Sequence, residues 1–471
     1  MTVSNRDAPS PWRPLRVPLF RNLLIADVLS DVGTFMQSVG AAWLMVSLGA
    51  GPMYVALTQT ASALAFFLFA LPAGALGDIV DRRRLILRTE TWMVVIATVI
   101  AVVTIAHRMT PWLLLALTFA LSAGDAVETP TWRAVLPELV GRDDLAAASA
   151  LNGIEFNFAR AVGPALAGLL IAATSVGIAF ALNAISFFGV IAIILRWKRA
   201  PDRRTTPPET VAGATIAALR YVRYSPLMRR IMIRAGVTMF FASALLALLP
   251  SLAGMVSGTA AGYGVLLGCF GAGAVGGATV MQRARARYSA DLVVAGGIAV
   301  LGSATIAAGL FRSMILLTFT MLVAGAAWIV FVSLLSALMQ TLTPDWVRAR
   351  VLAVYLLVFQ AGLAAGSAVW GTIASRTNVH LALTVAGIGT IATLALRFLV
   401  RLPDTVVAVT PWNDRRMPTV IPDAEPAPDR GPVLVTIEYD VQRARTGDFL
   451  RLVEAYGQVR RRDGAYWWGV F

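Results

Sequence analysis

Long apolar segments follow one another along most of the chain, and each is long enough to cross the hydrocarbon core of a membrane. A helix rises about 1.5 Å per residue, so about 20 residues span a core of about 30 Å. Twelve segments reach this length: 21–48, 53–77, 85–106, 112–135, 147–173, 176–195, 227–253, 260–281, 292–311, 314–341, 347–375 and 381–400. Membrane strands would instead show about ten residues of alternating hydrophobicity. The sequence therefore predicts an all-α membrane protein with twelve transmembrane helices.

The composition agrees with this prediction. Hydrophobic residues make up 58% of the 471 residues and charged residues only 14%, whereas soluble domains carry about 25% charged residues. The net charge of +14 would suit a nucleic-acid partner if the cations formed a solvated face. They cluster instead at the ends of apolar segments, which is typical of membrane topology signals. We therefore expect a lipid bilayer and no nucleic acid as the partner.

Several classes of chemistry are excluded by the polar residues that are present. Cys269 is the only cysteine, and His107 and His380 are far apart, so neither an internal disulfide nor a His/Cys metal site is expected. Lys198 is the only lysine and Arg199 follows it, whereas a phosphate-binding loop needs Gly-Lys-Ser/Thr. The chain is thus expected to need no cofactor and to be neither an enzyme nor an ATP-driven motor of this type.

The arginines set the orientation. They concentrate before the first apolar segment and in the loops after the even-numbered ones, while the other loops hold only Arg108, Arg312 and Arg376. Cytoplasmic loops of membrane proteins are enriched in Lys and Arg. We therefore expect a multi-pass protein whose first span is not cleaved and whose termini are both cytoplasmic.

The long loop rich in proline and arginine after the sixth apolar segment divides the chain into two halves. Weak internal similarity supports this division, since Gly163 to Gly168 in span five has a counterpart from Gly366 to Gly371 in span eleven. The predicted parts are a cytoplasmic N-terminal segment, a six-helix bundle, a linker loop, a second six-helix bundle, a second linker and a strand–helix–strand tail: 1–20, 21–195, 196–226, 227–401, 402–432 and 433–471.

Carboxylates inside the predicted spans are candidates for proton coupling, because ionisable groups at this depth are costly and retained mostly for function or pairing. Asp31 lies about ten residues into span one, with Asp27 one helical turn earlier. Asp125 and Glu128 share one face of span four, and a close carboxyl pair in a low dielectric favours binding of a proton. The alternatives are a structural hydrogen bond for Asp31 and an ion pair with Arg133 for the pair in span four.

Glu155 and Arg160 are the ionisable residues of span five. They lie about 140° apart around the helix, so they are not expected to pair with each other. We expect Arg160 to need a carboxylate from another helix: Asp31, Asp125 or Glu128. Its role is either to bind an anionic substrate or to leave its carboxylate when that group is protonated, and the alternative is a structural ion pair.

Gly163, Pro164 and Gly168 form a third candidate group in span five. Proline removes a backbone hydrogen bond in mid-helix, which kinks or flexes the span. Glycine allows neighbouring helices to approach closely. We expect these residues to flex the helix, with close packing as the alternative.

The short charged segment from Gly74 to Leu85 separates the second and third spans. It resembles the loop signature of the major facilitator superfamily, and the matching positions are Gly74, Leu76, Asp78, Arg82 and Arg83. Ile79 stands where the signature has an arginine and Asp81 where it has its second glycine. Stretches at 133–140, 157–164, 343–352 and 460–466 are similar to the enterobactin-exporter-like, or transmembrane secretion effector, branch.

This resemblance implies a fold and a gate. The fold is that of the major facilitator superfamily, with two six-helix bundles around a central cavity in the bacterial plasma (inner) membrane. The tail then corresponds to part of a ferredoxin-like module. Asp78 is expected to contact Arg348 or Arg350 at the start of span eleven when the cytoplasmic side is closed. Arg82 or Arg83, together with Asp81, would complete this gate. Gly163, Pro164 and Gly168 resemble a span-five motif associated with proton antiporters.

The sequence thus predicts a secondary active transporter. We expect a proton-coupled exporter of hydrophobic or amphiphilic small molecules, such as a siderophore, a secondary metabolite or a drug, working as a monomer by alternating access. A lipid flippase on the same fold is one alternative, and a non-transporting membrane sensor or scaffold is another. The sequence does not identify the substrate or the direction of transport.

Overall fold

The computed structural model describes residues 12–197, 211–399, 402, 441, 446–462 and 468. Within these ranges it leaves the side chains at 71, 74–79, 142, 211–215, 217, 345–346, 349 and 399 undescribed. The regular structure of the described part is helical. The helices are α1 Pro18–Ser47, α2 Gly51–Ile79, α3 Arg82–Ile105, α4 Pro111–Leu139, α5 Leu145–Ala173, α6 Val176–Arg196, α7 Val211–Tyr224, α8 Pro226–Val256, α9 Ala260–Arg285, α10 Ala290–Leu310, α11 Met314–Leu342, α12 Asp345–Arg376, α13 Val379–Ala392, α14 Leu396–Leu399 and α15 Thr446–Arg462.

Eleven apolar helical stretches of the described chain are long enough to cross a membrane. They comprise α2 to α6, α8 to α12, and the continuous stretch formed by α13, a short 3-10 turn and α14. Helix α1 has 30 residues and is not among them, because polar residues such as Asp27 and Asp31 lower its hydropathy. A multi-pass membrane protein is therefore confirmed, and the twelfth crossing stays a prediction.

The helices pack into two bundles. In the first, α1 packs on α5 and α6, α2 on α4, and α3 on α6 and α4. In the second, α9 packs on α11, α8 on α12, and α10 on α11 and α13. The bundles meet where α2 packs on α12 and α5 packs on α9. This pairing places spans five and eleven, which carry the two similar glycine segments, at the two main contacts between the halves.

Glycine allows both contacts to be close. A Cβ atom added to Gly168 of α5 would lie 2.8 Å from the Cα of Gly264 in α9. A Cβ added to Gly371 of α12 would lie 2.5 Å from the Cβ of Ala56 in α2. Nearby, the Thr60 hydroxyl donates a hydrogen bond across the halves to the Ala364 carbonyl at 3.1 Å. Any larger side chain would have to push the helices apart.

The linker between the bundles contains a helix, α7, in a segment that the sequence predicted to be a loop. Its buried Ala218 and Tyr221 face the protein, while Ile216 and Leu219 are exposed. Only two of its residues, Arg220 and Arg223, are charged, and the preceding Pro- and Arg-rich residues hide its short amphipathic pattern. Helix α7 contacts α8 and α12, so the linker is held against the second bundle.

The tail contains the helix that the sequence predicted. Helix α15 begins at Thr446, inside the predicted strand–helix–strand tail, and packs on α7. The Arg462 guanidinium carbon lies 5.1 Å from the centre of the Tyr221 ring, a distance suited to a cation–π contact. The two predicted strands, at 433–439 and 465–471, fall largely outside the described residues.

Candidate functional site

Six carboxyl groups lie close together inside the first bundle. They come from four helices: Asp27 and Asp31 of α1, Glu90 of α3, Asp125 and Glu128 of α4, and Glu155 of α5. The packing of α1 on α5 and of α3 on α4 brings these groups within electrostatic range of one another. We call this set the acidic cluster. Five of its members were singled out from the sequence, and Glu90 was not.

The Asp31 and Glu155 carboxyl groups, on α1 and α5, lie close enough to share a hydrogen bond. Two carboxyl groups can do so only when one of them carries a proton, because an ionised carboxylate is an acceptor and has nothing to donate. Glu155 is 8% exposed and its Oε1 atom has no donor in the described part of the chain. A single proton shared by this pair would therefore connect the two helices.

The remaining members have hydroxyl, indole or carboxyl partners. Trp132 donates a hydrogen bond to Asp27. The Thr129 hydroxyl lies 3.3 Å from Asp125 Oδ1 and 2.9 Å from the Asp125 carbonyl oxygen. Glu128 contacts both Glu90 and the Thr89 hydroxyl, the latter at 2.8 Å. These neighbours are uncharged or acidic, so none of them neutralises a carboxylate by ion pairing.

The ion pair predicted for Arg160 is not present in this conformation. Arg160 is partly buried in α5, and within the described ranges no carboxylate lies close enough to form a salt bridge with it. The alternative for Asp125 and Glu128, an ion pair with Arg133, is likewise absent among described residues, because Arg133 is exposed and forms no salt bridge with either. Among the described residues, Arg160 of span five thus forms no salt bridge with the acidic cluster.

The predicted gate is only partly described. The Asp78 side chain lies outside the described residues, so its contact with Arg348 or Arg350 stays a prediction. Arg348 donates a hydrogen bond to the Thr343 carbonyl within its own half, at 3.2 Å. For Gly74, likewise, the structure describes only the backbone.

The arginines that begin α3 fasten it to its own bundle. Arg82 forms a salt bridge with Glu138 of α4 at 2.7 Å. Arg83 donates hydrogen bonds to the carbonyl oxygens of Ile194 and Leu195, at 3.0 and 2.8 Å, near the end of α6. The Asp81 carboxylate accepts a hydrogen bond from the backbone N–H of Arg84 and so caps α3.

The glycine–proline group of α5 packs against two helices. A Cβ added to Gly163 would lie 2.7 Å from the Cβ of Phe35 and 3.1 Å from the carbonyl oxygen of Val32, both in α1. Gly168 faces α9, as described above, and Pro164 lies inside the helix. Close packing is thus visible at both glycines, and flexing of the helix stays a prediction.

A buried charged site in the second bundle escaped the sequence analysis. Arg234 of α8 is completely buried and donates to Asp291 Oδ1 of α10 at 2.6 Å. Arg397 of α14 reaches Asp291 Oδ2 at 2.5 Å. Arg234 follows two arginines at the start of its span, so the sequence makes it look like one more topology signal, and nothing in the sequence identifies its partner.

The whole chain can now be compared with known proteins. Residues 9–471 match the family described as transmembrane secretion effector. The chain belongs to this family. Its relatives among curated proteins include the enterobactin exporter EntS of Salmonella typhi, which is 27% identical over 389 residues, covering 81% of this chain and 92% of that protein. The MFS-type transporter YfiS of Bacillus subtilis is 27% identical over 390 residues, covering 79% and 91%.

A shorter match links this transmembrane secretion effector to the staphyloferrin A transporter of Staphylococcus aureus, 26% identical over 166 residues, or 35% of this chain and 41% of that one. Solved structures confirm the fold. A bacterial homologue of the human lysosomal transporter Spinster superposes with a TM-score of 0.64 at 14% identity, covering 82% and 95% of the two chains. The nucleoside transporter NupG gives 0.68 at 12%, covering 81% and 99%. The protein is therefore a major facilitator transporter of the inner membrane, and not an enzyme.

Proposed function

We propose that this member of the family is a proton-coupled exporter of siderophore-like or other amphiphilic small molecules. The observation that carries the proposal is the close approach of Asp31 and Glu155, two carboxyl groups on different helices of one bundle that can share a proton. Such a contact depends on a bound proton, and intramembrane carboxyl groups of this kind are typical of proton relays. The sequence also has no Gly-Lys-Ser/Thr phosphate-binding loop, which supports an ion gradient over an ATP-driven motor of this type as the source of energy.

The position of this pair connects proton binding with movement of the bundles. Losing the shared proton would leave two negative charges in contact, and like charges at this distance repel strongly in a low dielectric. Helix α5 carries Glu155 and also Gly168, thirteen residues or about 20 Å further along, where it packs on α9 of the other half. A shift of α5 at the acidic pair would therefore act on the contact between the halves.

The substrate class is proposed from two lines of support. The names of two relatives refer to enterobactin and to staphyloferrin A. In addition, Arg160 is a partly buried guanidinium that forms no salt bridge among the described residues. Arginine recognises carboxylate and phosphate groups through directed, charge-assisted hydrogen bonds. We therefore assign Arg160 to an anionic group of the transported molecule.

We further propose that α1 is the twelfth span, that the arginine-rich ends of the helices face the cytoplasm with both termini, and that this conformation opens inward. Both glycine contacts lie near the arginine-poor ends of their helices, since Gly168 precedes the end of α5 at Ala173 and Gly371 precedes the end of α12 at Arg376. Closure on the outer side is the arrangement from which a cytoplasmic substrate is loaded in alternating access.

Reconstituted vesicles test the function. Under an imposed pH gradient, we expect enterobactin transport by the unaltered protein and loss of the gradient-driven component in Asp31→Asn and Glu155→Gln. Asp143→Asn is the matched control, because Asp143 is an exposed acid in the turn before α5. Transport that survives both substitutions would overturn the site assignment. Failure to move enterobactin or any amphiphile, with lipid movement instead, would favour a flippase over the proposed exporter.

A further inference from the structure

Resting on this proposed function, the geometry points to Glu90 and Glu128 as a second proton-binding site, which holds one proton between α3 and α4 and releases it during transport. Glu90 is 3% exposed and Glu128 is 8% exposed. The two carboxyl groups lie close enough to share a hydrogen bond. As with Asp31 and Glu155, a hydrogen bond between two carboxyl groups requires that one of them carries the proton.

The surroundings of Glu90 give an independent reason to place a proton there. Its Oε2 atom is buried and has no hydrogen-bond donor among the described residues. A buried carboxylate without a donor or a cation is costly, whereas a protonated carboxyl group at the same place is not charged and can itself donate. The unpartnered oxygen therefore marks the position at which proton binding removes the largest cost.

The Thr89 hydroxyl gives Glu128 two possible hydrogen-bonding arrangements. Its oxygen lies 2.8 Å from Glu128 Oε2, and also 3.2 and 3.0 Å from the carbonyl oxygens of Leu85 and Ile86. A hydroxyl group has only one proton to donate. When that proton goes to Glu128, Glu128 Oε2 has a donor and can stay unprotonated. When it goes to a helix carbonyl, Glu128 must itself be protonated to bond Thr89.

The charged groups facing the pair are acidic. Helix α1 contributes Asp27, α4 contributes Asp125, and Asp31 acts on Glu128 from further along α1. Glu155 of α5 interacts electrostatically with Asp27 and acts on the glutamate pair only indirectly. Helix α2 has no charged residue among its described side chains, and α6 has only Arg196, at its end. Arg88 of α3 and Arg133 of α4 are exposed. Arg82, Arg83 and Arg84 lie in the first turn of α3, six to eight residues before Glu90.

Because no cation neutralises it in the described part of the protein, the pair can lose its negative charge only by binding protons. This distinguishes it from a structural ion pair, whose charges persist. Asp31 is half-buried, whereas both glutamates are fully buried, so the two proton sites differ in access to water. Asp27 and Asp125 interact electrostatically both with Glu90 and with Asp31, so the charge states of the two pairs are coupled through them.

Infrared spectroscopy of the full-length protein in lipid tests the pair without requiring transport. Protonated carboxyl groups have a carbonyl-stretch band that shifts in D₂O. We expect Glu90→Gln and Glu128→Gln each to remove one protonated group from this band, and Asp143→Asn to leave it unchanged. An unchanged band in both glutamine variants, with size-exclusion profiles like that of the unaltered protein, would overturn the site.

Transport stoichiometry tests the release step. In reconstituted vesicles, the ratio of protons to enterobactin is measured from the pH gradient that just stops net flow. We expect this ratio to fall by one proton in Glu90→Gln. If Glu90→Gln loses the infrared signal but keeps the same ratio of protons to enterobactin, the proposed release step is wrong. The proton held by the pair would then stay bound throughout transport. If enterobactin is not transported at all, the proposed function fails, while the infrared result still decides whether the pair holds a proton.

Discussion

The two bundles handle buried charge in opposite ways. In the second bundle, Asp291 lies between Arg234 and Arg397, and each guanidinium is within 2.6 Å of a carboxylate oxygen. In the first bundle, the acidic cluster has no ion-paired cation among the described residues. Opposite charges in contact keep their ionisation and hold helices together, whereas like charges in contact need protons to coexist. The comparison indicates a fixed scaffold in one half, and under the proposed function the other half exchanges protons.

The largest expected effect is on the scaffold. Asp291→Asn would leave two guanidiniums facing each other, one of them completely buried. Removing one partner of a buried ion pair costs about 3–5 kcal/mol. We expect the thermal unfolding temperature of the detergent-solubilised protein to fall sharply, and folded yield to fall with it.

The matched substitution in the first bundle is Asp125→Asn. Here the change removes a negative charge from an acidic environment, so we expect no loss of thermal stability. If Asp125→Asn destabilises the protein as much as Asp291→Asn does, the proposed difference between the bundles is wrong.

The next effect concerns the contact between the bundles. Gly168→Ala would place a Cβ atom 2.8 Å from the Cα of Gly264, and overpacking of this kind costs about 1–3 kcal/mol. We expect the population to shift away from the present conformation, seen as increased labelling of single cysteines placed beside α9. Gly153→Ala is the control, because Gly153 is also in α5 and has nothing within 4 Å of its added Cβ.

The smallest expected effect concerns a pair of corresponding contacts in the two halves of the fold. Helices α3 and α10 occupy corresponding positions in the two halves, and each is fastened at its start to the end of the last span of its bundle. Arg83 does this through two carbonyl hydrogen bonds and Asp291 through Arg397. Each neutral-acceptor hydrogen bond contributes about 1 kcal/mol, so Arg83→Ala should lower the unfolding temperature less than Asp291→Asn. An equal or larger loss would contradict this ranking.

Most of the fold was predictable because a membrane imposes one dominant rule, that a span must be apolar and long enough. That rule is weakest where polar residues interrupt a span, which is why α1 falls outside the eleven apolar helices. It says nothing about α7, whose 14 residues are too few to span a membrane and lie next to a linker sequence.

The candidate site was less predictable because it depends on partners from different helices. Asp31 and Glu155 were each visible as intramembrane charges, but their contact was not. Glu90 stands beside threonines and two residues after Arg88, so the sequence makes it look like part of a membrane boundary. The partner expected for Arg160 was wrong for this conformation, because helix geometry excludes a local partner without identifying a distant one.

The polar character of α1 has a consequence for how the protein is made. A single aspartate at the centre of a helix opposes insertion by about 2.5–3.5 kcal/mol, and α1 carries Asp27 and Asp31 in one stretch. The helices that pack most closely on it, α5 and α6, are synthesised more than a hundred residues later. If α1 is a span, as proposed, its stable insertion is therefore expected to wait until α5 and α6 have been synthesised.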